Sequence, residues 1–546
     1  MTKRQIIILG AGVMQEPAIR IAKDMGLETV VLDADVDAPC IALADRFENI
    51  DLKDRDGVLA FAKTLPALVG VMTAGTDFST IVAFAVEELG LSGVSYETAL
   101  NASDKERMRE CFRRADVPSP RFAALKTAQG FIPPFPFPVV VKPVDNMGAR
   151  GCRRADNPAE LRVAIEEAFS FSRSGRVIVE EFMDGPEFSI DAIAYQGEIT
   201  ITGFADRHIF FPPYFIEMGH TIPTDLDEKS AAEVIDTFKQ GVRALGIKNG
   251  AAKGDVKLTR KGAMIGEIAA RLSGGYMSGW TYPYSSGVEP TRAAIQIAIG
   301  EKPSRLTPTR RWTSAERAFI SIPGEVFSII KKNLPPQVKD VFFRVKEGDR
   351  VKFPVNNVSK AGNVIAVAPN RDEAVNAAEI AARNILIRLA APNVETEAFL
   401  RIGERNRKTA AEFLGVPPTP QFPPNAFTVP SEILLLLEKM PETLEDSEGS
   451  RYNVKKPLVS ANVKPFSMGI MPFPEFTESG LRDYAGRTVA ESLDATRLLT
   501  GQTLPITGDA TRIGIALGRV FWRALIRGGY QGTVYVVDKL RSRDID

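Results

Sequence analysis

The chain has 546 residues, several times a common domain size, and 44% of them are hydrophobic, enough for more than one core. Its 68 Lys and Arg balance 68 Asp and Glu, which leaves no global field to hold a polyanion and excludes a generic nucleic-acid coat or membrane-surface protein. No stretch approaches about 18 consecutive apolar residues, and the start, MTKRQIIILGAG, carries no small-residue cleavage site. Cys40, Cys111 and Cys152 lie too far apart in sequence for a disulfide framework. The expectation is a soluble cytoplasmic protein.

Gln5 to Leu9 is an apolar run followed by Gly10-Ala11-Gly12, a helical pattern over Glu16 to Met25, and a second apolar run, Thr29 to Leu32, ending at Asp33 and Asp35. This is a βαβ unit opening a parallel sheet. Gln15 stands where a dinucleotide fingerprint wants its third glycine. The turn therefore reads first as an ordinary sheet-building turn, with a small carboxylate or phosphate nearby, or a nicotinamide or flavin, as the other readings. Leu68 to Met72 is a further strand, and Thr76 or Asp77 is expected to cap the helix after it, with a place facing a cleft at the strand ends as the alternative.

DKERMRECFRRADVPSPRF, from Asp104, reads as an amphipathic helix with Met108, Cys111, Phe112 and Ala115 on its apolar face. FIPPFPFP (131–138) leads into the strand VVVKP, which ends at Lys142-Pro143, and Gly148-Ala149-Arg150-Gly151 follows. Such a loop can lay peptide N–H groups over phosphate oxygens while Lys142 adds a point charge, although no Walker sequence is present. Arg176 to Val179 is a strand leading to EEFMDGPEFS, with Glu180, Glu181 and Glu187 around a turn. In GDVKLTRKGAMIGEIAARLSGG, two strands joined at Thr259 to Gly262 bring Asp255 and Glu267 together. Two carboxylates with phosphate oxygens suit Mg²⁺, and Arg271 can clamp an anion from the same side.

These segments, DKERMR with Lys105, VVKPVDNMGARG with Lys142, EEFMDGPEFS and GEIAARLSGG, resemble the ATP-grasp superfamily of carboxylate–amine/thiol ligases in content and order. The three-lobed organisation is most similar to the biotin-carboxylase and carbamoyl-phosphate-synthase branch and its amino-acid-ligase relatives. The resemblance implies an α/β architecture in four parts. An N-terminal open parallel sheet occupies 1–100, and an ATP-grasp fold occupies 101–300 with a mobile small lobe at about 125–190. A C-terminal α+β lobe occupies 301–395, and a linker with an accessory region occupies 396–546.

It also implies roles. Lys105 and Lys142 would hold the α- and β-phosphates, and Gly148, Arg150 and Gly151 would belong to the phosphate-covering loop. Glu180 and Met183 would meet adenine through backbone atoms, with Glu181 beside them, and Glu187 would take the ribose hydroxyls. Asp255 and Glu267 would bind Mg²⁺, with Mn²⁺ as a substitute, and Arg271 would hold acyl-phosphate or phosphate oxygens. One position departs from the pattern: Ala269 stands where the family often has a metal-binding asparagine, which weakens a second metal position.

Gly219-His220-Thr221-Ile222-Pro223 resembles the substrate-facing connection of amino-acid-ligase members. Glu217 is the candidate for an amino group. His220 either orients a substrate or is a hydrogen-bonded structural histidine, and His208 is the weaker candidate. Gly274, Gly275, Tyr276, Trp280 and Tyr282 either shape an acceptor pocket or anchor their loop. Later segments read as a strand and helix over AGNVIAVAPNRDEAVNAAEIAARNILIRL with Ile385 on the helix, and a proline-rich linker at 417–427. An acidic stretch at Pro441 to Ser450, helices at Asp483 to Leu499 and Ile513 to Ile526, and a strand at Gly532 to Val537 complete the chain.

The implied reaction is ADP-forming ligation. A small carboxylate, an amino acid among the candidates, is activated as an acyl phosphate and attacked by an amine. The expected partners are ATP, these two substrates and a second copy of the chain in a homodimer, with no nucleic acid or membrane. The alternatives are a bicarbonate-activating enzyme of the carboxyphosphate or carbamoyl-phosphate type and an ATP-binding regulatory protein without turnover.

Overall fold

The computed structural model describes residues 3–211 and 213–401 and, beyond them, 497, 500, 501, 524, 528 and 531–539. The chain divides into two compact units. The first comprises 1–209, 219–316 and 367–374; the second comprises 210–218, 317–366 and the residues from 375 onward.

The first unit opens with β1 (Gln5–Leu9), α1 (Glu16–Asp24), β2 (Glu28–Asp33), β3 (Arg46–Asn49), α2 (Arg55–Ala62), β4 (Leu68–Thr73) and α3 (Ser79–Glu88). The strands form a parallel sheet in the order β3-β2-β1-β4. All of β1 is buried because both faces are covered: Ile6 and Ile8 pack with Ala18 and Ile19 of α1, and Ile7 and Leu9 with Val58 of α2 and Ala85 of α3. At the glycine turn, Ala11 N donates to Asp33 Oδ2 at 2.8 Å and Gly12 N to Gln15 Oε1 at 3.0 Å. Those N–H groups are engaged inside the fold, which favours the sheet-building reading of the turn. The expected cap at Thr76 or Asp77 is not formed, because α3 starts at Ser79 with Phe78 in the cap position and no side-chain cap bond.

Next come α4 (Tyr96–Ser103) and α5 (Lys105–Arg114), then β5 (Phe122–Leu125), β6 (Val139–Pro143), β7 (Arg153–Ala155), α6 (Pro158–Phe171) and β8 (Val177–Glu181). The four strands form a small sheet ordered β5-β8-β6-β7. Strand alternation sends Val139, Val141, Val177 and Val179 onto Leu161, Ala164, Ile165 and Ala168 of α6. Lys142 and Glu180 consequently lie on the opposite face.

β9 (Glu187–Tyr195), β10 (Glu198–Phe210), β11 (Ile216–Ile222), α7 (Glu228–Leu245), β12 (Gly250–Thr259) and β13 (Gly262–Ala269) follow, with β13-β12-β9-β10 side by side and antiparallel. One face of these strands buries Ile190, Ala192, Val256, Ile265 and Ile268 against Met108 and Phe112 of α5 and Phe238 and Val242 of α7. The other face carries the charged residues. α8 (Tyr282–Ser286), α9 (Pro290–Ala298) and β14 (Thr313–Phe319) continue the chain.

The second unit contains β15 (Gly324–Lys331), β16 (Val338–Phe343), β17 (Arg350–Val351), β18 (Gly362–Ala368), most of α10 (Arg371–Arg383), β19 (Ile385–Leu389) and α11 (Val394–Arg401). β17-β15-β19 form one sheet and β16 pairs with β18. Ile385, expected on the helix, opens β19, because α10 stops at Arg383. Residues 531–539 are helical, whereas Gly532 to Val537 read as a strand. Val534, Tyr535, Val536 and Val537 are all buried in that helix, so tertiary packing overrides their β propensity. The linker at 417–427, the acidic stretch at Pro441 to Ser450 and most of the two expected late helices lie outside the described residues. Among the described residues no helix is long and apolar enough to cross a membrane.

Candidate active site

The charged face of the first unit is a ladder set by strand register. Across β10, β9, β12 and β13, one row runs Ala205, Ser189, Asp255, Glu267 and the next runs Gly203, Asp191, Lys253, Ala269. Asp255 and Glu267 meet as cross-strand partners because a bulge falls between Asp255 and Val256, with Gly266 as the extra residue on β13. Had the Val256–Ile265 register continued unbroken, Asp255 would face Gly266, so the bulge aims the second carboxylate. Asp255 Oδ1 lies 2.5 Å from Lys253 Nζ and 2.9 Å from Arg207 Nη1. Arg207 also pairs with Glu187, and Lys257 Nζ lies 3.6 Å from Glu187 Oε2.

Lys105 is held at the first turn of α5, where the Asp104 carboxylate accepts from Glu106 N at 2.9 Å and Arg107 N at 3.1 Å. Its Nζ donates to Asn146 O at 2.7 Å and lies 3.7 Å from Glu267 Oε1. Burial alone would raise the Glu267 pKa, but Lys105, Lys253, Lys142 and Arg271 outweigh it and hold the carboxyl at about 2.

Lys142 Nζ donates to Glu180 Oε2 at 2.8 Å, and Arg109 Nε donates to Glu180 Oε1 at 2.8 Å. Burial works against the Glu180 charge, yet Arg109 and Lys142 keep its carboxyl below the ordinary range. Likewise, burial would lower Lys142 but Glu180 raises it. Arg109 Nη2 also donates to Gly266 O at 2.6 Å. One buried guanidinium thus ties the small-lobe strand bearing Glu180 to the bulge that presents Glu267. The Glu180 side chain is spent on these cations, which leaves its backbone for any purine contact. Sequence reasoning missed Arg109, although it stands four residues after Lys105 on the same helix face.

Gly148 and Gly151 have φ of +66° and +69° and Ala149 has 59°, a left-handed run that suits a tight loop. A Cβ on Gly151 would meet Phe171 at 3.0 Å. Arg150 Nε donates to Met147 O at 3.1 Å, and burial followed by Arg173 lowers its pKa while Asp77 opposes the shift. Glu181 pairs with Arg121 and Lys261, each at 3.0 Å, and the Arg121 bond leads in lowering its pKa. The N–H groups of Glu181 and Phe182 donate to Arg121 O and Pro138 O. Met183 is half-buried beside Gly266.

Arg271 Nη1 donates to Leu272 O at 2.9 Å, while its buried Nε has no hydrogen-bond partner among the described residues. Leu272 bridges to Ala74, so the loop that follows abuts the end of the N-terminal sheet. Tyr276 and Trp280 stack edge-on at 5.5 Å. Tyr282 is fully buried, and its hydroxyl donates to Asp191 Oδ1 at 3.1 Å, with Ser278 Oγ on the other oxygen at 3.2 Å. Tyr282 is thus an anchor of the loop rather than a pocket wall.

His220 is fully buried, with Nδ1 3.0 Å from Glu316 Oε2, and His208 Nε2 lies 2.9 Å from Thr221 Oγ1. Glu217 belongs to the second unit, where Lys360 Nζ donates to its carbonyl at 2.7 Å and lies 3.9 Å from its Oε1. Glu217 and His220 are three residues apart on β11, so the pleat sends them to opposite faces and they do not line one wall together. Lys360 and Glu316 carried no motif that the sequence could reveal.

Among the described residues no three His, Cys, Asp or Glu side chains gather as a metal cage. The pair Asp255 and Glu267 supplies hard oxygen donors that fit Mg²⁺ only with further oxygens from a ligand, as phosphates provide. The orphaned Arg271 Nε fits an anion beside them.

Residues 135–279 match the ATP-grasp domain family, and 333–390 match the L-amino acid ligase C-terminal domain 2. The chain is 24% identical over 390 residues to the uncharacterized protein y4rH of Sinorhizobium fredii, covering 68% of this chain and 80% of that one. It is 22% identical over 343 residues to human carnosine synthase 1, covering 57% of this chain and 41% of that protein. The solved L-amino acid ligase of Bacillus licheniformis superposes with a TM-score of 0.62 at 21% identity, over 71% of this chain and 100% of that one. At that identity the likeness speaks for the fold. The ladder and Lys142 fall within the stretch 135–279 that matches the ATP-grasp domain, with Lys105 just before it, and the chain as a whole resembles ATP-grasp ligases of the biotin-carboxylase and amino-acid-ligase branches in fold.

Proposed function

We propose that the chain is an ADP-forming ligase that activates a small carboxylate as an acyl phosphate for attack by an amine, with an amino acid as one substrate. The observation that carries this reading is the register pairing of Asp255 with Glu267 beneath Lys105, with Lys142 on the facing side of Glu180. In this reading Lys105 and Lys142 hold the phosphates, and the loop through Gly148, Arg150 and Gly151 covers them. Met183 offers its peptide to adenine, and Glu187, steadied by Arg207, takes the ribose hydroxyls. Mg²⁺ held by Asp255 and Glu267 would neutralise phosphate oxygens. Arg271 positions the substrate carboxylate, and the dry, cationic surroundings favour transfer of the γ-phosphoryl group over hydrolysis. No protein nucleophile is required.

Similarity to carnosine synthase 1, to an alanine–anticapsin ligase and to an L-amino acid ligase supports an amino acid as substrate. Glu217 is a weaker candidate for the ammonium than its sequence suggests, since Lys360 already faces it.

The test is a screen of amino acids and amines with ATP and Mg²⁺, with detection of ADP, phosphate and the joined product. Amino-acid-dependent ADP release with a dipeptide or amide product is expected. ATP cleavage dependent on bicarbonate alone would replace this reading with the carboxyphosphate one. Replacing Lys142 with alanine should weaken Mg-ATP binding about tenfold or more, a loss of about 1.4 kcal/mol or greater. Unchanged affinity by calorimetry would remove Lys142 from the site.

A further inference from the structure

The residue beside the acidic pair has no part in the function proposed above. Lys253 stands one step along the ladder from Asp255, with Asp191 as its partner on β9 and Ala269 as its partner on β13. Its Nζ lies 2.5 Å from Asp255 Oδ1, and its side chain is only 14% exposed. Ala269 adds a single methyl opposite it, so the lysine takes the place beside the pair without competition from a facing side chain. The two carboxylates are thus approached by three chain-borne cations: Lys253 and Arg207 on Asp255, and Lys105 on Glu267.

We propose that Lys253 is a built-in cation that restricts this site to a single divalent ion. The inference rests on the reading that the site binds Mg-ATP. A pair of carboxylates with a triphosphate carries enough negative charge to gather two divalent cations. Here the Asp255 side of the pair is already neutralised by an ammonium at contact distance. A second dication on that side would have to share the Asp255 oxygen with the ammonium and bear its repulsion. The ammonium cannot simply retreat into solvent, because the side chain is almost fully covered and runs between Asp191 and Ala269. Lysine is suited to this place: its charge is compact and its three donors can serve Asp255 and incoming phosphate oxygens together. Lys253 is therefore a positioning residue that sets the ion count and the charge balance of the site.

The experiment counts ions. Full-length protein saturated with a non-hydrolysable ATP analogue is titrated with Mn²⁺, with free Mn²⁺ read by electron paramagnetic resonance and bound nucleotide measured calorimetrically on the same sample. Wild type is expected to bind one Mn²⁺ per bound nucleotide, and Lys253→Arg the same. Lys253→Ala and Lys253→Met are expected to bind two. Two ions per nucleotide in the wild type would overturn the proposal, as would a count of one in both neutral variants. A wild-type count of two overturns the proposal even where a variant fails to fold, and Lys253→Met, which keeps the length of the side chain, stands in where Lys253→Ala does not fold. Absence of nucleotide binding by the wild type would overturn the Mg-ATP reading itself, and the calorimetric arm separates that outcome from a failed ion count.

Discussion

Arg109 shows how one side chain supports a site that it need not touch. It is fully buried, holds Glu180 with Lys142, and reaches the Gly266 carbonyl at the bulge. Removing one partner of a buried, hydrogen-bonded ion cluster leaves charge uncompensated, at a cost of about 3–5 kcal/mol. Arg109→Met should therefore lower the melting temperature markedly, read by calorimetric unfolding. Glu267 makes a second prediction, one of pH. Its folded pKa of about 2 lies below the ordinary value, so its charge contributes stability that is fully present above about pH 4.5 and lost as pH falls toward 2. Simple like-charge repulsion with Asp255 would make Glu267→Gln more stable without metal, but the surrounding cations reverse that sign. The metal-free variant should melt below wild type at pH 7, with the gap closing as pH approaches 2 in a melting series. Lys105, Lys142, Asp255 and Glu267 were legible as candidates because each sits at a strand end, helix start or hairpin with a recognisable neighbourhood. Arg109 was not, since its partners Glu180 and Gly266 lie far away in sequence.

The hairpin of β12 and β13 was legible as an element, from two apolar-alternating runs around a turn. Its bulge was not, because nothing in GAMIGEIA marks which residue is extra until the pairing with β12 is known. The same holds for the loop after Arg271, whose aromatics read either as an acceptor pocket or as loop anchors. For Tyr282 the anchor reading is the one observed: it sinks under β10, where Gly203 leaves room for its ring, and a Cβ on Gly203 would lie 2.0 Å from Tyr282 Cε1. Burial raises the pKa of Asp191 beneath it, opposed by hydroxyls that include Tyr282. Gly203→Ala should displace that ring and with it the loop carrying Tyr276 and Trp280. Overpacking of this kind costs about 1–3 kcal/mol. The variant should show that loss in denaturant unfolding, together with a change in Trp280 fluorescence. Wild-type values for both would mean that the glycine does not set the position of the loop.

At the scale of the molecule, the order of the lobes through the β12–β13 hairpin was readable, because parallel-sheet and hairpin patterns are local. The end of the chain was not. Thr533 to Val537 is a β-branched and aromatic run that alone reads as strand, and only its burial on every side makes it helical. That helix is bound deeply within the second unit. Gln531 accepts from Ile322 N at 3.0 Å and donates to Ser321 Oγ and Ile387 O, each at 2.7 Å. Asp538 receives both arms of Arg388 at 2.8 and 2.7 Å. The consequence is that the helix at 531–539 carries docking contacts of its own, so it is expected to stay in place when the chain between 402 and 530 is cut. A chain cut at an engineered protease site in that stretch should still elute as one particle, with its 531–546 end retained until denaturant is added. Release of that fragment on native size-exclusion chromatography would show that continuity of the chain, and not the docked helix, does the holding. If the fragment stays, the second unit can be reconstituted from two polypeptides, and its chain ends can be re-spliced without loss of its core.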